Sequence, residues 1–527
     1  MTYFLISIIP AILYIFIYTK KTLHILQQNR YNEDNRYLKW INKNSKKVFL
    51  NINYFYLIIF VLTIYLKIEI NFILYFIFYF ILYFIFKNEI KKEQVKKPLI
   101  ITSRIKRIIF TTFILYTVPI IYSCIFYHQY LISIYYFVFG TLIYFNYFVV
   151  FLANIINKPV EKIVYLYYKF KSDKKLKAMS NMEVIGITGS YGKTSTKNVV
   201  SDILNEKYIT FKTPQNYNTA YGLINTVNNY IDKYNNYFIA EMGTLKPKDI
   251  KIESEIVKPK YGVLTKIGIA HLDAFKTIEN IAKEKFALIE SLPSDGVAIL
   301  NKDDEYQVNY KIKNNCKVLW YGIDNKADVY ADNIKYSQDG MTFDVYINEK
   351  KQHFQTKLLG QINIYNILAG ITLANELDLS IEQIKKGVLK IRPVEHRLQL
   401  KKYGHINYID DAYNSNPIGS KMALDVLNLM PGKKIIITPG MIELADKQYE
   451  YNFQFGEYIA EVADLTILVG EKQTLPIAEG LKNKNYSKNK LFITNDVKEA
   501  IQIAQNAFKS EVYILLENDL PDIFNEG

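Results

Sequence analysis

The chain has 527 residues, half of them apolar, with 45 Tyr and 31 Phe but only two cysteines, Cys124 and Cys316. At about 100–200 residues per domain this length holds two or three cored domains, and two cysteines exclude both a disulfide framework and a four-cysteine metal site. The net charge of +14 is unevenly placed: residues 1–154 carry 17 Lys and Arg against 5 Asp and Glu, and the remaining 373 carry 48 against 46. A basic N-terminal third rich in aromatic and aliphatic residues has membrane statistics, and the nearly neutral remainder offers no basic face, so nucleic acid is not an expected partner.

Five apolar runs occupy that third, Tyr3–Tyr18, Val48–Leu66, Phe72–Phe86, Ile108–Tyr127 and Leu131–Ala153, most of them near the roughly 17–25 residues of a spanning helix. The third is short, which leaves a four-span or re-entrant arrangement open. Basic segments follow the first and third runs, Lys20–Lys47 and Lys87–Arg107, whereas the connections Lys67–Ile70 and His128–Tyr130 hold a single Lys. The positive-inside bias then puts the basic segments and everything after about Asn154 in the cytoplasm. No Asp, Glu, Lys or Arg lies within the runs, so an ion pathway has no ionisable residue to use.

Beyond the charged stretch Glu161–Lys177, the apolar run Val184–Ile187 leads into Thr188-Gly-Ser-Tyr-Gly-Lys-Thr-Ser195 and a helix-like Lys197–Leu204. A buried strand, a glycine turn and a helix start form a phosphate cradle, because backbone N–H groups and the helix dipole converge on one anion. The long glycine-lysine motif fails at its first position, which is Ile187. The shorter form remains: Gly189 and Gly192 supply the turns, Ser190 and Ser195 flank them, Lys193 reaches the outer phosphates and Thr194 offers a hydroxyl to Mg2+. Glu241 ends the apolar stretch Phe238–Ala240 and is a hard oxygen ligand for the same ion.

From Met182 to Leu516 the sequence resembles the Mur ligases. The resemblance rests on the phosphate loop and on six further blocks in family order: Thr213–Asn218, similar to a substrate loop, Phe238–Gly243, Gly262–Asp273, Gly360–Asn366, Pro393–Leu398 and Ile409–Pro417. Within the family, Asp410–Pro417 and Met441–Leu444 are most like the member that adds D-Ala-D-Ala. The resemblance implies ATP- and Mg2+-dependent joining of an amine to a carboxylate through an acyl phosphate. It implies His271 at a second Mg2+, a carbamylated lysine at Lys285 with Lys283 as the neighbouring alternative, and Asn363 and Asn366 on adenine. It places Arg397 on phosphate and Asp411 with Asn414 on the nucleotide. Where soluble members carry a domain for the uridine diphosphate, this chain has its apolar region, and Leu515–Pro521 replaces their Gly-Ser-Arg-like ending.

The expected fold is therefore α/β: a multi-span α-helical membrane region over 1–154, a linker over 155–181, a P-loop central domain over 182–392 and a smaller Rossmann-like C-terminal domain over 393–527. Strand-like runs alternate with helical stretches in both later domains, as a doubly wound sheet requires. The expected location is the bacterial cytoplasmic membrane, multi-pass, with cytoplasmic catalytic domains. Expected partners are membrane lipid, a muramoyl peptide acceptor that is nucleotide-linked or lipid-linked, and an amino acid or dipeptide. An ATP-driven transporter or membrane sensor is the reading from another class.

Overall fold

Long apolar runs give the N-terminal part its helices. The computed structural model describes residues 2–66, 68–92, 98–125, 132–269, 272–337, 339–413, 415–442 and 444–519, and the chain divides into two units at Leu166–Tyr167. The first contains α1 (Thr2–Gln28), α2 (Arg36–Lys43), α3 (Ser45–Phe49), α4 (Tyr56–Tyr65), α5 (Ile68–Lys92), α6 (Ser103–Ile125), α7 (Ile132–Tyr144) and the start of α8 (Asn146–Ala178). Tyr14, Tyr37, Tyr75 and Tyr79 are fully buried in its core. Buried hydroxyls need partners: Tyr14 Oη donates to Asn53 Oδ1 at 2.6 Å and Tyr116 Oη to Asn146 Oδ1 at 2.9 Å.

Among the described residues four helical stretches, Thr2–Gln28, Ser45–Tyr65, Ile70–Lys91 and Ser103–Tyr122, are long and apolar enough to cross a membrane, by length and composition alone. The fifth expected run is a pair of helices bent by 76° and counts only if the pair is one span. The expected linker is helix as far as Ala178, because its Lys, Glu, Leu and Ala residues favour helix over an open connection.

The second unit is built from strand–helix repeats. In chain order they are β1 (Glu183–Thr188), α9 (Lys193–Leu204), β2 (Thr210–Lys212), α10 (Ala220–Asn229), β3 (Tyr237–Glu241), α11 (Asp249–Val257), β4 (Tyr261–Leu264), α12 (Leu272–Phe275), α13 (Ile278–Glu290), β5 (Val297–Asn301), α14 (Glu305–Val308), β6 (Lys317–Gly322), β7 (Val329–Ser337), β8 (Gly340–Ile347), β9 (Lys350–Thr356), α15 (Gln361–Glu376) and α16 (Ile381–Lys390). The strands form one sheet in the order β2-β3-β1-β4-β5-β6-β7-β8-β9, parallel until β8 and β9 turn antiparallel. Ile185 and Ile187 of β1 face a core shared with Val199, Ile203, Ile367, Ile371 and Val388 of α9, α15 and α16. Gly186, on the opposite face by strand alternation, leaves room for Leu288 of α13. Register pairs Ile187 with Glu241 and Thr188 with Leu264, so the carboxyl ends of β1, β3 and β4 open on one crevice, where ligands of such sheets bind.

The chain continues through β10 (Gln399–Tyr403), β11 (Ile406–Asp411), α17 (Pro417–Asn428), β12 (Lys433–Thr438), α18 (Gln448–Val462), β13 (Leu465–Val469), α19 (Leu475–Asn483), β14 (Leu491–Thr494), α20 (Val497–Asn506) and β15 (Val512–Glu517). Its sheet runs β10-β11-β15-β12-β13-β14, with only β10 antiparallel. Asp411 and Glu517 are register partners at adjacent strand ends.

Candidate active site

The phosphate loop turns where its glycines allow it. Gly192 has φ +83°, and a Cβ there would lie 2.7 Å from Asn366 Oδ1; at Gly189, φ +153°, a Cβ would collide with Thr265 Oγ1. Such positions strain any L side chain. The loop is held along the segment after β4: Ser190 N donates to Lys266 O at 2.8 Å and Ser190 Oγ to Gly268 O at 2.8 Å. Lys193 opens α9, and its ammonium donates to the carbonyls of Gly189 at 2.7 Å and Ser190 at 3.1 Å. Burial lowers its pKa to about 8, with Glu241 pulling it up and Arg397 pushing it down.

The two expected Mg2+ ligands meet. Thr194 Oγ1 donates to Glu241 Oε1 at 3.0 Å, and Asn218 Nδ2 donates to the same oxygen at 3.0 Å. Lys197, one helical turn after Lys193, lies 3.0 Å from Glu241 Oε2, both side chains being almost wholly buried. Its ammonium also donates to the carbonyls of Thr213 at 2.9 Å and Gln215 at 2.7 Å. Sequence reasoning missed Lys197; its signal was the four-residue spacing from Lys193, which puts both on one helix face.

Lys285 is buried on α13 while Lys283 is exposed. Burial, then the like charge of Lys193, holds the Lys285 amine well below the usual lysine range. Glu253 of α11 is buried too, with Oε2 accepting no hydrogen bond; burial, then Asp249, raises its carboxyl well above the usual range. Asn363 and Asn366 are buried at the start of α15, where Asn366 Nδ2 donates to Asn363 Oδ1 at 3.1 Å and Thr196 Oγ1 to Asn366 Oδ1 at 2.9 Å. In this arrangement they tie α15 to α9.

Arg397 lies with its guanidinium 4.2 Å from the centre of the Tyr413 ring. Beside it, burial raises Asp411 to about 6 against the pull of Arg397 and a hydrogen bond from Leu398 N. Other motif positions have structural partners. Asp410 takes Lys401 at 2.7 Å and His396 at 2.9 Å, although half of the His396 side chain is exposed. Asn416 caps α17 by accepting from Gly419 N at 2.8 Å, with Pro417 in the first turn. His271 and Asn414 lie outside the described residues.

The residues present fit a nucleotide and Mg2+. The glycine cradle has no room for a Cβ, and the buried Glu241 carboxylate turns Oε1 to the Thr194 hydroxyl while Oε2 is paired with Lys197. Among the described residues no three His, Cys, Asp or Glu side chains gather into a metal cage. Mg2+ keeps several waters and takes one or two carboxylates, which Thr194 and Glu241 can satisfy.

The sequence profile of the Mur ligase middle domain matches residues 187–374, and that of the Mur ligase glutamate ligase domain matches residues 396–516. The chain belongs to the Mur ligase family. Among relatives of this Mur ligase, the UDP-N-acetylmuramoyl-tripeptide--D-alanyl-D-alanine ligase of Buchnera aphidicola subsp. Baizongia pistaciae is 34% identical over 289 residues, 54% of this chain and 62% of that protein. The Bacillus subtilis ligase of the same name is 28% identical over 335 residues, 63% and 72% of the two chains. The chain therefore spans less than two thirds of the first relative's length. A crystal structure of MurF from Acinetobacter baumannii has a TM-score of 0.62 at 25% identity, covering 67% of this chain and 77% of that one. MurF from Thermotoga maritima, solved in complex with ADP, shares the fold at a TM-score of 0.60 and 23% identity, covering 68% and 82%.

These relatives correct the location expected from the sequence. MurF enzymes are soluble and cytoplasmic, not multi-pass proteins of the cytoplasmic membrane. The N-terminal helices of this Mur ligase are apolar by length and composition, and hydropathy read without a matched relative overstated what they establish.

Proposed function

We propose that this Mur ligase uses ATP and Mg2+ to form an amide bond, adding D-Ala-D-Ala to a UDP-linked N-acetylmuramoyl tripeptide in peptidoglycan precursor synthesis. The observation that carries the reading is the meeting of Thr194 and Glu241 at 3.0 Å beside a glycine phosphate loop, in a chain whose relatives bear that ligase's name. In this chemistry an acceptor carboxylate oxygen bonds to the γ-phosphorus and ADP leaves. The amine nitrogen then bonds to the acyl carbon, phosphate leaves and the amine gives up a proton.

The chain's own groups fit these steps. Lys193 would exchange the carbonyls of Gly189 and Ser190 for phosphate oxygens, with Arg397 adding positive charge where the transferring group is most anionic. Thr194 and Glu241 would hold Mg2+, which supplies charge neutralisation at the phosphates. Lys285 is buried, with its amine held well below the usual lysine range by burial and then by the like charge of Lys193, which suits the addition of carbon dioxide that the family resemblance implies. His271 at a second Mg2+, Asn363 and Asn366 on adenine, and Asp411 with Asn414 on the nucleotide complete the assignment on the family resemblance.

A second reading concerns the acceptor. The matched domains begin at residue 187, and an apolar helical unit precedes them, which favours a muramoyl peptide carried on a lipid. Phosphate release by the full-length protein with ATP and Mg2+ distinguishes the two. Release that needs the UDP-linked tripeptide and D-Ala-D-Ala supports the main reading. Release only with the lipid-linked counterpart supports the second, and release indifferent to both would point to an ATPase of another class.

A further inference from the structure

We propose that Lys197 is a positioning residue that couples the loop Thr213–Asn218 to Glu241, the carboxylate of the proposed metal site, so that filling the nucleotide–metal site orders residues 213–218. The proposal rests on the nucleotide and Mg2+ reading of the phosphate loop. Its ground is a three-way contact: the Lys197 ammonium is 3.0 Å from Glu241 Oε2 and donates to the carbonyls of Thr213 at 2.9 Å and Gln215 at 2.7 Å.

The side chain is 97% shielded from solvent, and a buried cation persists only where partners surround it. Here all three partners belong to other segments. Glu241 ends β3, and Thr213 and Gln215 belong to the loop after β2. That loop returns to the same carboxylate, since Thr213 Oγ1 accepts from Glu241 N at 3.1 Å and Asn218 Nδ2 donates to Glu241 Oε1 at 3.0 Å. Gly243 N donates to Asn218 O at 2.7 Å. Gln215 is held at φ +44°, a conformation a non-glycine residue keeps only where its surroundings impose it. The Lys197 bond to its carbonyl is such a constraint.

A divalent ion held by Thr194 and Glu241 would fix the carboxylate while leaving its partners in place, Asn218 of the loop on Oε1 and Lys197 on Oε2. Lys197 would pass that fixed position to the carbonyls of Thr213 and Gln215. By linkage the effect is reciprocal: whatever orders the loop also favours the ion.

The test is amide hydrogen exchange over residues 213–218 in the full chain, with and without saturating MgADP, in wild type, K197M and K197R. Binding of MgADP is followed separately by calorimetry, and folding by circular dichroism. Wild type should gain at least about fivefold protection in the loop, the lower end of typical site coupling. K197M should bind MgADP yet lose that gain, and K197R, which keeps the charge, should recover part of it. Equal protection in K197M and wild type would overturn the proposal. If K197M does not fold, wild type decides alone: MgADP that binds without protecting the loop overturns the proposal. Failure of wild type to bind MgADP overturns the nucleotide reading and the proposal with it.

Discussion

Glu241 receives a hydrogen bond from Thr194 Oγ1 at 3.0 Å, which closes the gap between the end of β3 and the first turn of α9. Two side chains chosen for one ion are therefore already within reach of each other, and a third, Lys193, lies one residue away.

Replacing Lys193 by Ala removes the cation that the proposed mechanism sets against the transferred phosphoryl group. Turnover should fall at least about 10²–10³-fold, the usual cost of losing one preorganised stabilising donor. Phosphate release at saturating ATP measures it; wild-type turnover in K193A would remove Lys193 from the chemistry.

Because burial lowers Lys193 to about 8, nucleotide affinity should depend on pH. The ammonium is cationic below that value and neutral above it, so ADP binding should weaken as pH rises from about 7 to 9, with proton uptake on the alkaline side. Calorimetry in two buffers of different ionisation enthalpy measures both. In K193R, whose guanidinium does not titrate there, the affinity should be nearly flat.

Glu241→Gln leaves the Lys197 ammonium buried without its counter-charge. Breaking a buried pair on one side costs about 3–5 kcal/mol, so E241Q should unfold at lower denaturant than wild type. The double variant E241Q/K197M should recover part of the loss, because neither charge then remains unpaired. Additive losses would mean that the two side chains are not coupled.

Glu517 gives a stability prediction with a definite sign. It is wholly buried at the end of β15 and accepts from Thr438 Oγ1 at 2.6 Å and from Ser415 Oγ. Burial nevertheless raises it from 4.5 to about 7. The folded state thus holds a proton that the unfolded chain releases, and stability from this group falls as pH rises through that window. Thermal melting of E517Q against wild type should shift in favour of the variant between about pH 5 and pH 8. A constant difference would show that folding does not raise the Glu517 carboxyl.

Much of this arrangement was legible in the sequence. Apolar runs located β1, β3, β4 and β5 because these strands are buried on both faces, and the spacing of Gly189, Gly192, Lys193 and Thr194 after β1 marked the turn between β1 and α9. Two edge strands were not legible. β2 is three residues of Thr, Phe and Lys, and β10 mixes Gln and Lys, so neither has the run or the alternation that marks a strand. The Lys197 network was harder to see because two of its three partners are backbone carbonyls, which no side-chain pattern encodes. Asn416 drew attention as part of a family block, whereas in the structure it is a helix cap. The helical state of the stretch leading to Ala178 had no apolar run to announce it, because a charged segment becomes helix when its residues are good helix formers.

The central claim is that ATP activates a carboxylate before the amine attacks. The most direct measurement labels the acceptor carboxylate of the UDP-linked tripeptide with oxygen-18 and follows the label during turnover with ATP, Mg2+ and D-Ala-D-Ala. An acyl phosphate route transfers one labelled oxygen from each acceptor to the phosphate released, and does so only when the dipeptide is consumed. Phosphate released without label would contradict the account, because its oxygen would then have come from water and not from the carboxylate.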